Sequence, residues 1–344
     1  MSSSPSTITA LDGRSLVRTQ VTARLDEPLS AGSNLLFCST FQLAWNELRA
    51  ALGGAIRLQG DPLLAVALER EGPTADDLDV GSYVARGGVG PGFLREVERA
   101  LRQTFGDRDD FMLPGRLEPS AILAYAYLSK DLAFRTPFEV ERKLGIVFHG
   151  GERVACFGVW GAQEDPLRAK RAAQVVVHHV SEGGSFVLEL ITDAEADRLI
   201  VACIPREPSL LAMVDEALAR ANHKPGLWSR LRGEVALGKR DVVKIPMIDV
   251  DVLRNYAEIG QRKVLDQEHV IEEAKQRIRF RLDEKGAILR SAGVIVAPRG
   301  GPRGRHFVCD RPFLVAMVRA GRRYPYFAAW IEDPELLVAV RPEP

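Results

Sequence analysis

The chain has 344 residues, a length that suits one large domain or two modest ones. Its 46 basic residues balance 46 acidic ones, so no net charge draws it to nucleic acid or to an anionic membrane. Nearly half of the residues are apolar, as in ordinary globular proteins, but no run approaches the roughly 20 apolar residues of a membrane helix. The composition therefore predicts a soluble globular protein.

The amino-terminal residues 1–9 are polar and uncharged, without the basic and apolar regions of a secretory signal, which favours a cytoplasmic location. The four cysteines are Cys38, Cys156, Cys203 and Cys309, and each lies in an apolar run. No pair has the spacing of a metal site or a redox motif. We predict buried free thiols, since two disulfides would require an export route that the sequence does not show.

The first part of the chain is rich in helical periodicity. Apolar residues at helical spacing predict helices over 40–52, 62–69 and 91–105, the first of which stops at two glycines. A glycine cluster at 87–92 precedes the third helix. It does not match the phosphate-binding pattern G-x-G-x-x-G, and we interpret it as a flexible connection.

From residue 122 onward the chain changes to apolar runs that are typical of strands. One further helix is expected over 209–221. The order of helices first and antiparallel strands later predicts an α+β fold with large sheets. The predicted strands are 122–134, 143–159 with an internal turn, 174–180, 185–192, 199–205, 242–252 interrupted by Pro246, 276–282, 307–318 and 324–331.

Residues 276–282 alternate sharply, which predicts a half-buried strand. The apolar face carries Ile278, Phe280 and Leu282, and the opposite face carries Arg277, Arg279 and Arg281, which we interpret as a solvated face.

A connection of more than twenty residues follows this strand and ends near residue 307. Connections of this length are uncommon and are usually functional or disordered. Residues 287–296 are rich in small and β-branched residues and would make a strand, whereas 298–305 are glycine, proline and arginine and cannot bury themselves. The sequence thus predicts a strand-forming segment attached to an exposed, cleavable tip.

Motifs around this loop resemble those of the serpin family. Residues 283–286 (DEKG) resemble the serpin hinge, 307–313 (FVCDRPF) the strand after the reactive loop, and 325–334 the closing strand. The resemblance extends over nearly the whole chain and keeps the family's order. The upstream segments that share it are 34–48, 122–138 and 186–205.

The resemblance implies a serpin-like α+β fold, with a helical N-terminal half packed on large antiparallel or mixed sheets. It implies a single domain over 31–344 after an N-terminal extension or first helix region of 1–30, with the reactive loop at about 287–306. A serine protease would cleave this loop and form an acyl-enzyme, and the freed segment would insert as an extra strand. The protein would be a monomeric inhibitor and not an enzyme, with no cofactor or metal, and an extracellular location would fit the family.

Counting along the loop from Gly286 places the scissile bond close to Gly300. Arg299 is the nearest specificity residue, with Arg303 and Arg305 as neighbours. Arginine suits a trypsin-like pocket, whose buried carboxylate pairs with a cation. The hinge is assigned to Glu284, Gly286, Ala287, Leu289, Ser291 and Gly293.

The period of two in a strand allows one register for insertion. If Ala287 faces the core, so do Leu289, Ser291 and Gly293, and Arg290 faces outward, where its charge stays solvated. A slip of one residue would bury Arg290 without a partner, at a cost of several kcal/mol. Inhibitory serpins favour small residues here, so the bulky stretch 288–290 predicts slow insertion, because overpacking costs ~1–3 kcal/mol.

The chain departs from the family in the cluster under its central sheet. At residues 37–41 (FCSTF), the second and fifth positions, where the family pattern has serines, carry Cys38 and Phe41. Gln276 stands in place of a histidine, Tyr125 in place of an asparagine and Ala133 in place of a tryptophan. We therefore expect mostly apolar residues in place of a polar network.

Two other functions remain open. The scaffold could bind a partner without inhibiting a protease, or the basic loop PRGGPRGR could contact nucleic acid, although no aromatic residue is interleaved in its tip. The basic face of 276–282 could bind an acidic polymer. No Ser-His-Asp, paired-carboxylate or phosphate-loop pattern indicates an enzyme.

Overall fold

The computed structural model describes residues 11–13, 15–108, 111–118, 121–161, 165–223, 236–265, 267, 269–287 and 304–340. Helices in this part of the chain are α1 (Thr40–Leu52), α2 (Leu63–Leu68), α3 (Gly90–Phe105), α4 (Pro166–Ala172) and α5 (Leu210–Asn222). The strands are β1 (Leu11–Asp12), β2 (Thr19–Thr22), β3 (Asn34–Cys38), β4 (Tyr83–Val89), β5 (Ile122–Leu128), β6 (Leu132–Ala133), β7 (Glu139–Val147), β8 (Arg153–Val159), β9 (Val175–Val180), β10 (Phe186–Leu190), β11 (Asp197–Cys203), β12 (Val242–Pro246), β13 (Ile248–Asn255), β14 (Arg262–Lys263), β15 (Val270–Ile271), β16 (Lys275–Asp283), β17 (Gly286–Ala287), β18 (His306–Val308), β19 (Phe313–Arg319) and β20 (Pro325–Ile331).

The four predicted helices are present, with bounds that differ from the predicted ones by one residue at most. Their ends have local causes. Gly53 ends α1 in the left-handed region at φ 78°, and Pro91 lies in the first turn of α3. The hydroxyl of Ser209 accepts a hydrogen bond from the amide of Ala212 at the start of α5.

The sheets are large, as predicted, and they include strands from the first third of the chain, where the sequence predicted mainly helices. A five-stranded sheet, the hinge sheet, has the order β1-β13-β16-β17-β6. A seven-stranded sheet has the order β2-β3-β20-β19-β11-β10-β9, and a four-stranded sheet has the order β18-β12-β8-β7. Two strand pairs, β14-β15 and β4-β5, complete the described sheets.

Three predicted strands are divided, and one of them, over 307–318, breaks into β18 and β19, which belong to different sheets. The predicted strand over 242–252 breaks at Pro246, and its halves β12 and β13 belong to different sheets. The amide of Met247, between them, donates to the carbonyl of Ala155. The predicted strand over 122–134 breaks at residues 129–131 into β5 and β6.

The glycine cluster was wrongly interpreted as a flexible connection. Its first half belongs to β4, and α3 begins at Gly90. A side chain on Gly87 would place a Cβ atom 2.4 Å from the carbonyl oxygen of Glu47 in α1. These glycines therefore allow a strand to pack closely under a helix.

The largest core lies between the hinge sheet, the four-stranded sheet and one face of the seven-stranded sheet. The other face of the seven-stranded sheet packs on α5. All four cysteines are buried and free, as predicted. No helix in the described ranges is long and apolar enough to span a bilayer.

Candidate functional site

The candidate site is the root of the long loop, where the chain turns back beside β16. After a turn at residues 284–285, β17 pairs with β16 through Leu282–Ala287 and Asp283–Gly286. On its other edge β17 pairs with β6, with Gly286 opposite Ala133. The first two residues of the loop thus already form a short strand between two others. Ala287 is buried in the core, the face on which the predicted register places it.

Gly286 has a conformation and surroundings that exclude other residues. Its φ of 144° lies in a region that side-chain-bearing residues rarely adopt. A Cβ atom built on Gly286 would lie 2.2 Å from the carbonyl oxygen of Leu132 and 2.8 Å from the Cα atom of Ala133. The glycine therefore permits the close approach of β17 to β6.

The turn before β17 is held from the side of β6 and β7. Arg142 on β7 donates to the buried Glu284 carboxylate at 3.1 Å. The amide of Phe138 donates to the carbonyl of Glu284 at 2.8 Å, and the amide of Phe134 donates to that of Lys285 at 2.7 Å. Removing one partner of a buried ion pair is costly, so these contacts position the turn firmly.

An aromatic pair lies beside the turn at a position that the sequence patterns did not indicate. Phe134 and Phe138 are buried, with ring centroids 4.6 Å apart in an edge-to-face arrangement. We assigned the family's aromatic position to Ala133, which instead pairs with Gly286. That assignment stays a prediction, and the two neighbours of Ala133, Leu132 and Phe134, are buried.

Beyond these first pairs, β16 and β5 each have an edge that pairs with no other described strand. β16 pairs with β13 from Lys275 to Leu282, but with β17 only at its last two residues. Among the strands that the structure describes, β5 pairs only with β4. Because β6 follows β5 in the chain and lies on the far side of β17 from β16, we infer that β5 and residues 275–281 of β16 border a position for one further strand, which we call the slot. Its bordering backbone groups are suited to accept one further strand.

The outer face of β16 is an ion-paired ladder and not the solvated basic face that we predicted. Arg277 donates to both oxygens of Asp251 at 2.8 and 2.7 Å, and Arg279 lies 3.2 Å from the same carboxylate. Arg281 donates to Asp283 at 2.7 Å. The acids of β13 and β16 therefore offset the three arginines, which disfavours the acidic-polymer hypothesis.

A buried polar network lies under the slot, contrary to the expectation of mostly apolar residues. The amide nitrogen of Gln276 donates to the Cys38 carbonyl and to the Thr40 hydroxyl, each at 2.9 Å. The Tyr256 hydroxyl donates to the side-chain oxygen of Gln276 at 2.8 Å. Burial raises the pKa of Tyr256, so this hydroxyl stays a donor.

The signal for this network was absent from local patterns. Tyr256 directly follows β13, and Gln276 lies near the start of β16. The antiparallel pairing of these strands brings them together with Asn255 opposite Lys275. The network ties β16 to the start of α1 through fully satisfied hydrogen bonds of Gln276.

The far end of the loop is anchored on the four-stranded sheet. The Arg305 amide donates to one oxygen of Asp241, and its guanidinium donates to the other, with Nε at 2.8 Å and Nη2 at 2.6 Å. It also donates to the carbonyl of Ala236 and lies over the ring of Phe307. Arg168 donates to the carbonyl of Asp241 from the buried side. Arg305 is thus an anchor, which makes it a poor bait residue.

The remaining predicted bait and hinge residues lie outside the described residues. They are Arg299, Gly300, Arg303, Leu289, Ser291 and Gly293.

The anchor at Asp241 should fail only in acid. Burial raises the pKa of this carboxyl, but hydrogen bonds from Arg305 and the Gly238 amide outweigh burial and lower it below its usual 3.8. A carboxyl with a depressed pKa stabilises the fold above its unfolded pKa and loses that contribution as pH falls through the folded value. We expect hydrogen exchange of the β18 amides to be unchanged from pH 8 to 5, after correction for intrinsic rates, and to accelerate below about pH 4. In Asp241→Asn the acceleration should be present at every pH.

Comparisons with known proteins place this site in context. No protein-family model matches the chain, and no curated protein matches it. Among solved structures, serine protease inhibitor (serpin)-12 of Manduca sexta is 13% identical and covers 90% of this chain and 95% of its own, with a TM-score of 0.47. Serpin48 of the insect Tenebrio molitor is 12% identical, with coverages of 88% and 92% and a TM-score of 0.45. Thyroxine-binding globulin in complex with thyroxine is 13% identical, with coverages of 74% and 76% and a TM-score of 0.41.

The chain resembles serpins in its fold. The described helices and sheets confirm the predicted α+β class. The solved structures to which the chain is similar include serpins, the family to which the sequence motifs were compared. Because the identities and TM-scores are low, a serpin-like activity must be argued from the hinge, the slot and the loop of this chain.

Proposed function

We propose that this protein is a serpin-like inhibitor of a trypsin-like serine protease, acting by cleavage of its loop and insertion of residues 287–297. The observation that carries the proposal is the position of β17, which already pairs on both edges at the top of the slot. Further insertion would extend these two ladders and would not have to nucleate a new strand pair. A strand that adds to existing edges gains backbone hydrogen bonds on both sides.

The described pairs indicate where each inserted residue would go. Continuing the β16–β17 register places Leu289, Ser291 and Gly293 opposite Phe280, Ile278 and Gln276, all of them buried. These are the residues of the predicted inner face. The smallest of the three falls beside the Gln276 network, where space is most restricted by hydrogen-bonded side chains.

Arg299 is proposed as the bait residue. We expect Arg299→Ala to slow complex formation with a trypsin-like protease by on the order of 10²-fold, because a buried carboxylate in the protease pocket would lose its partner. Arg303→Ala is the matched control and should leave the rate nearly unchanged. Sequencing the released fragment identifies the bond directly: a first residue of Gly300 supports Arg299, whereas Gly304 assigns the bait to Arg303.

A denaturing gel tests the inhibitory mechanism itself. The purified protein is mixed with a panel of arginine-specific serine proteases, and a covalent band at the summed mass is expected. The cleaved protein should also melt at a much higher temperature than the intact one, since insertion completes the hinge sheet. Cleavage in the loop with neither a covalent band nor a rise in melting temperature would contradict inhibition by insertion.

A non-inhibitory binding role is the second candidate. The bulky stretch 288–290 favours it, because overpacking costs ~1–3 kcal/mol and slows insertion relative to release of the acyl-enzyme. Under this alternative, proteases cleave the loop and turn over. The nucleic-acid alternative is weaker, since Arg305 is occupied by Asp241 and the arginines of β16 are paired with acids.

A further inference from the structure

Residues 129–131 separate β5 from β6, but the same alternate positions face the core on both strands. On β5 and β6, Ala126, Leu128 and Leu132 face the main core. The alternate residues Tyr125 and Tyr127 pack under α3. The inner face therefore falls on even-numbered positions on both sides of the break, and Lys130 continues it. The amide of Ser129 donates to the carbonyl of Ser82, directly before β4, so the first residue of the break is still paired on the β4 side.

Lys130 reaches from this break into the interior. Its ammonium group lies 2.6 Å from a carboxylate oxygen of Asp197 on β11, in the seven-stranded sheet, and 3.6 Å from Asp79. The side chains of Lys130 and Asp197 are only 12% and 2% exposed. The pair thus connects the part of the core beside the hinge sheet to the seven-stranded sheet. Its two residues are 67 positions apart in sequence.

The neighbouring backbone is attached to the same region. The amide of Asp193 donates to the carbonyl of Ala133, at 2.9 Å, so β6 is also fastened to the turn before β11. The ring of Tyr326 lies beside Asp197, and burial together with that negative charge raises the pKa of its hydroxyl. Lys130 is the cation that compensates the Asp197 carboxylate in this buried setting.

The register of the described pairs places an incoming residue directly against Lys130. Gly286 lies opposite Ala133 and Ala287 opposite Leu132, so Leu289 would lie opposite Lys130 on one edge. On the other edge the same residue would lie opposite Phe280. The alkyl stem of a lysine covers apolar surface well, so the ion pair can persist after insertion.

We propose that Lys130 is a positioning residue. It keeps residues 129–131 in the alternation of a strand, so that the hydrogen-bonded ladder that begins at β17 can extend from β6 to β5 without a change of register. This inference rests on the proposed function. Asp197 orients Lys130, and Lys130 orients the three backbone units that the inserted strand must pair with next. Loss of this orientation leaves the starting strand intact but delays the step that follows it.

The test compares insertion rates after cleavage in the full-length protein. Lys130→Met keeps the apolar stem but leaves Asp197 buried without this cation, which puts the folding of the single variant at risk. The double variant Lys130→Met with Asp197→Asn removes both charges and avoids an unpaired buried carboxylate. The matched control is Arg135→Met, which removes a cation five positions along the chain whose partner Glu195 is 85% exposed.

Each protein is cleaved in its loop, and the gain in resistance to heat is followed with time. We expect the double variant to insert about tenfold more slowly than wild type, equivalent to ~1.4 kcal/mol in the barrier, and the Arg135→Met control to match wild type. Before cleavage, the amides of residues 129–131 should exchange hydrogen faster in the double variant, with β6 and β17 unchanged.

Two failures are distinguishable. If the wild-type protein gains no stability after cleavage, insertion does not occur and the proposed function fails. If wild type inserts and the double variant inserts at the same rate with unchanged exchange at 129–131, Lys130 is only a core contact and the positioning role is overturned. The role is supported by a double variant that melts normally when intact, inserts slowly and consumes more inhibitor molecules per protease inhibited.

Discussion

Gly286→Ala is expected to convert the protein from an inhibitor into a substrate. The glycine is at φ 144°, and a Cβ atom there would lie 2.2 Å from a backbone oxygen of β6. Such a conformation costs a non-glycine residue about 1–3 kcal/mol before the clash is counted. The simplest relief is withdrawal of β17 from between β16 and β6, which removes the starting point for insertion. Proteases should then cleave the loop without a covalent complex and without a rise in melting temperature.

A glycine elsewhere provides the control. Gly321, in the turn between β19 and β20, has φ 77°, but a Cβ atom built on it would meet no atom within 4 Å. Gly321→Ala carries the conformational cost without the clash, so it should lower the stability of the intact protein while leaving complex formation unchanged. Complex formation by Gly286→Ala at the wild-type rate would show that β17 is not the starting point.

The elements that the sequence predicted well have local causes. The helices follow from apolar spacing and from end signals within a few residues, such as Gly53 after α1. The alternation of β16 was predictable because one of its faces is buried and the other carries charged side chains. The long loop stays a prediction, because residues 288–303 lie outside the described residues.

The elements that the sequence missed depend on contacts between distant residues. The break between β5 and β6 is stabilised by Asp197, far along the chain, and Gly87 is required by the backbone of Glu47. The charge ladder on β16 could not be seen in its own sequence, since Asp251 lies on β13. Hydrophobic periodicity and β-propensity describe one strand at a time, whereas these features depend on which strand lies next to that strand.

The surroundings of the hinge were not predictable in detail. The resemblance assigned 283–286 to a hinge, and β17 begins at Gly286. The partners of that turn were not predictable, because Arg142 and Phe134 belong to segments more than a hundred residues earlier. The polar network of Gln276 was missed because a comparison of residue types with a family pattern does not reveal Tyr256 as a new partner.

Arg290→Glu is expected to accelerate insertion. Arg290 lies outside the described residues, but continuing the Ala287–Leu282 pairing along antiparallel strands places it opposite Arg279, on the outer face. Arg279 already shares Asp251 with a second arginine, so a further cation at this position would compete for the same carboxylate. Like charges directly opposite each other in a sheet destabilise it by ~0.2–1 kcal/mol, and reversing one charge exchanges repulsion for attraction.

The combined change of about 0.4–2 kcal/mol predicts insertion roughly 2- to 30-fold faster, and fewer inhibitor molecules consumed per protease inhibited. Arg290→Lys is the control that keeps the charge, and it should insert at the wild-type rate. The difference between the two variants should shrink as salt is raised, because ions screen partly exposed charges at this face. Equal insertion rates for Arg290→Glu and Arg290→Lys at low salt would mean that this position does not pair with Arg279, and that the slow step of insertion lies in the bulk of Ile288 and Leu289 instead.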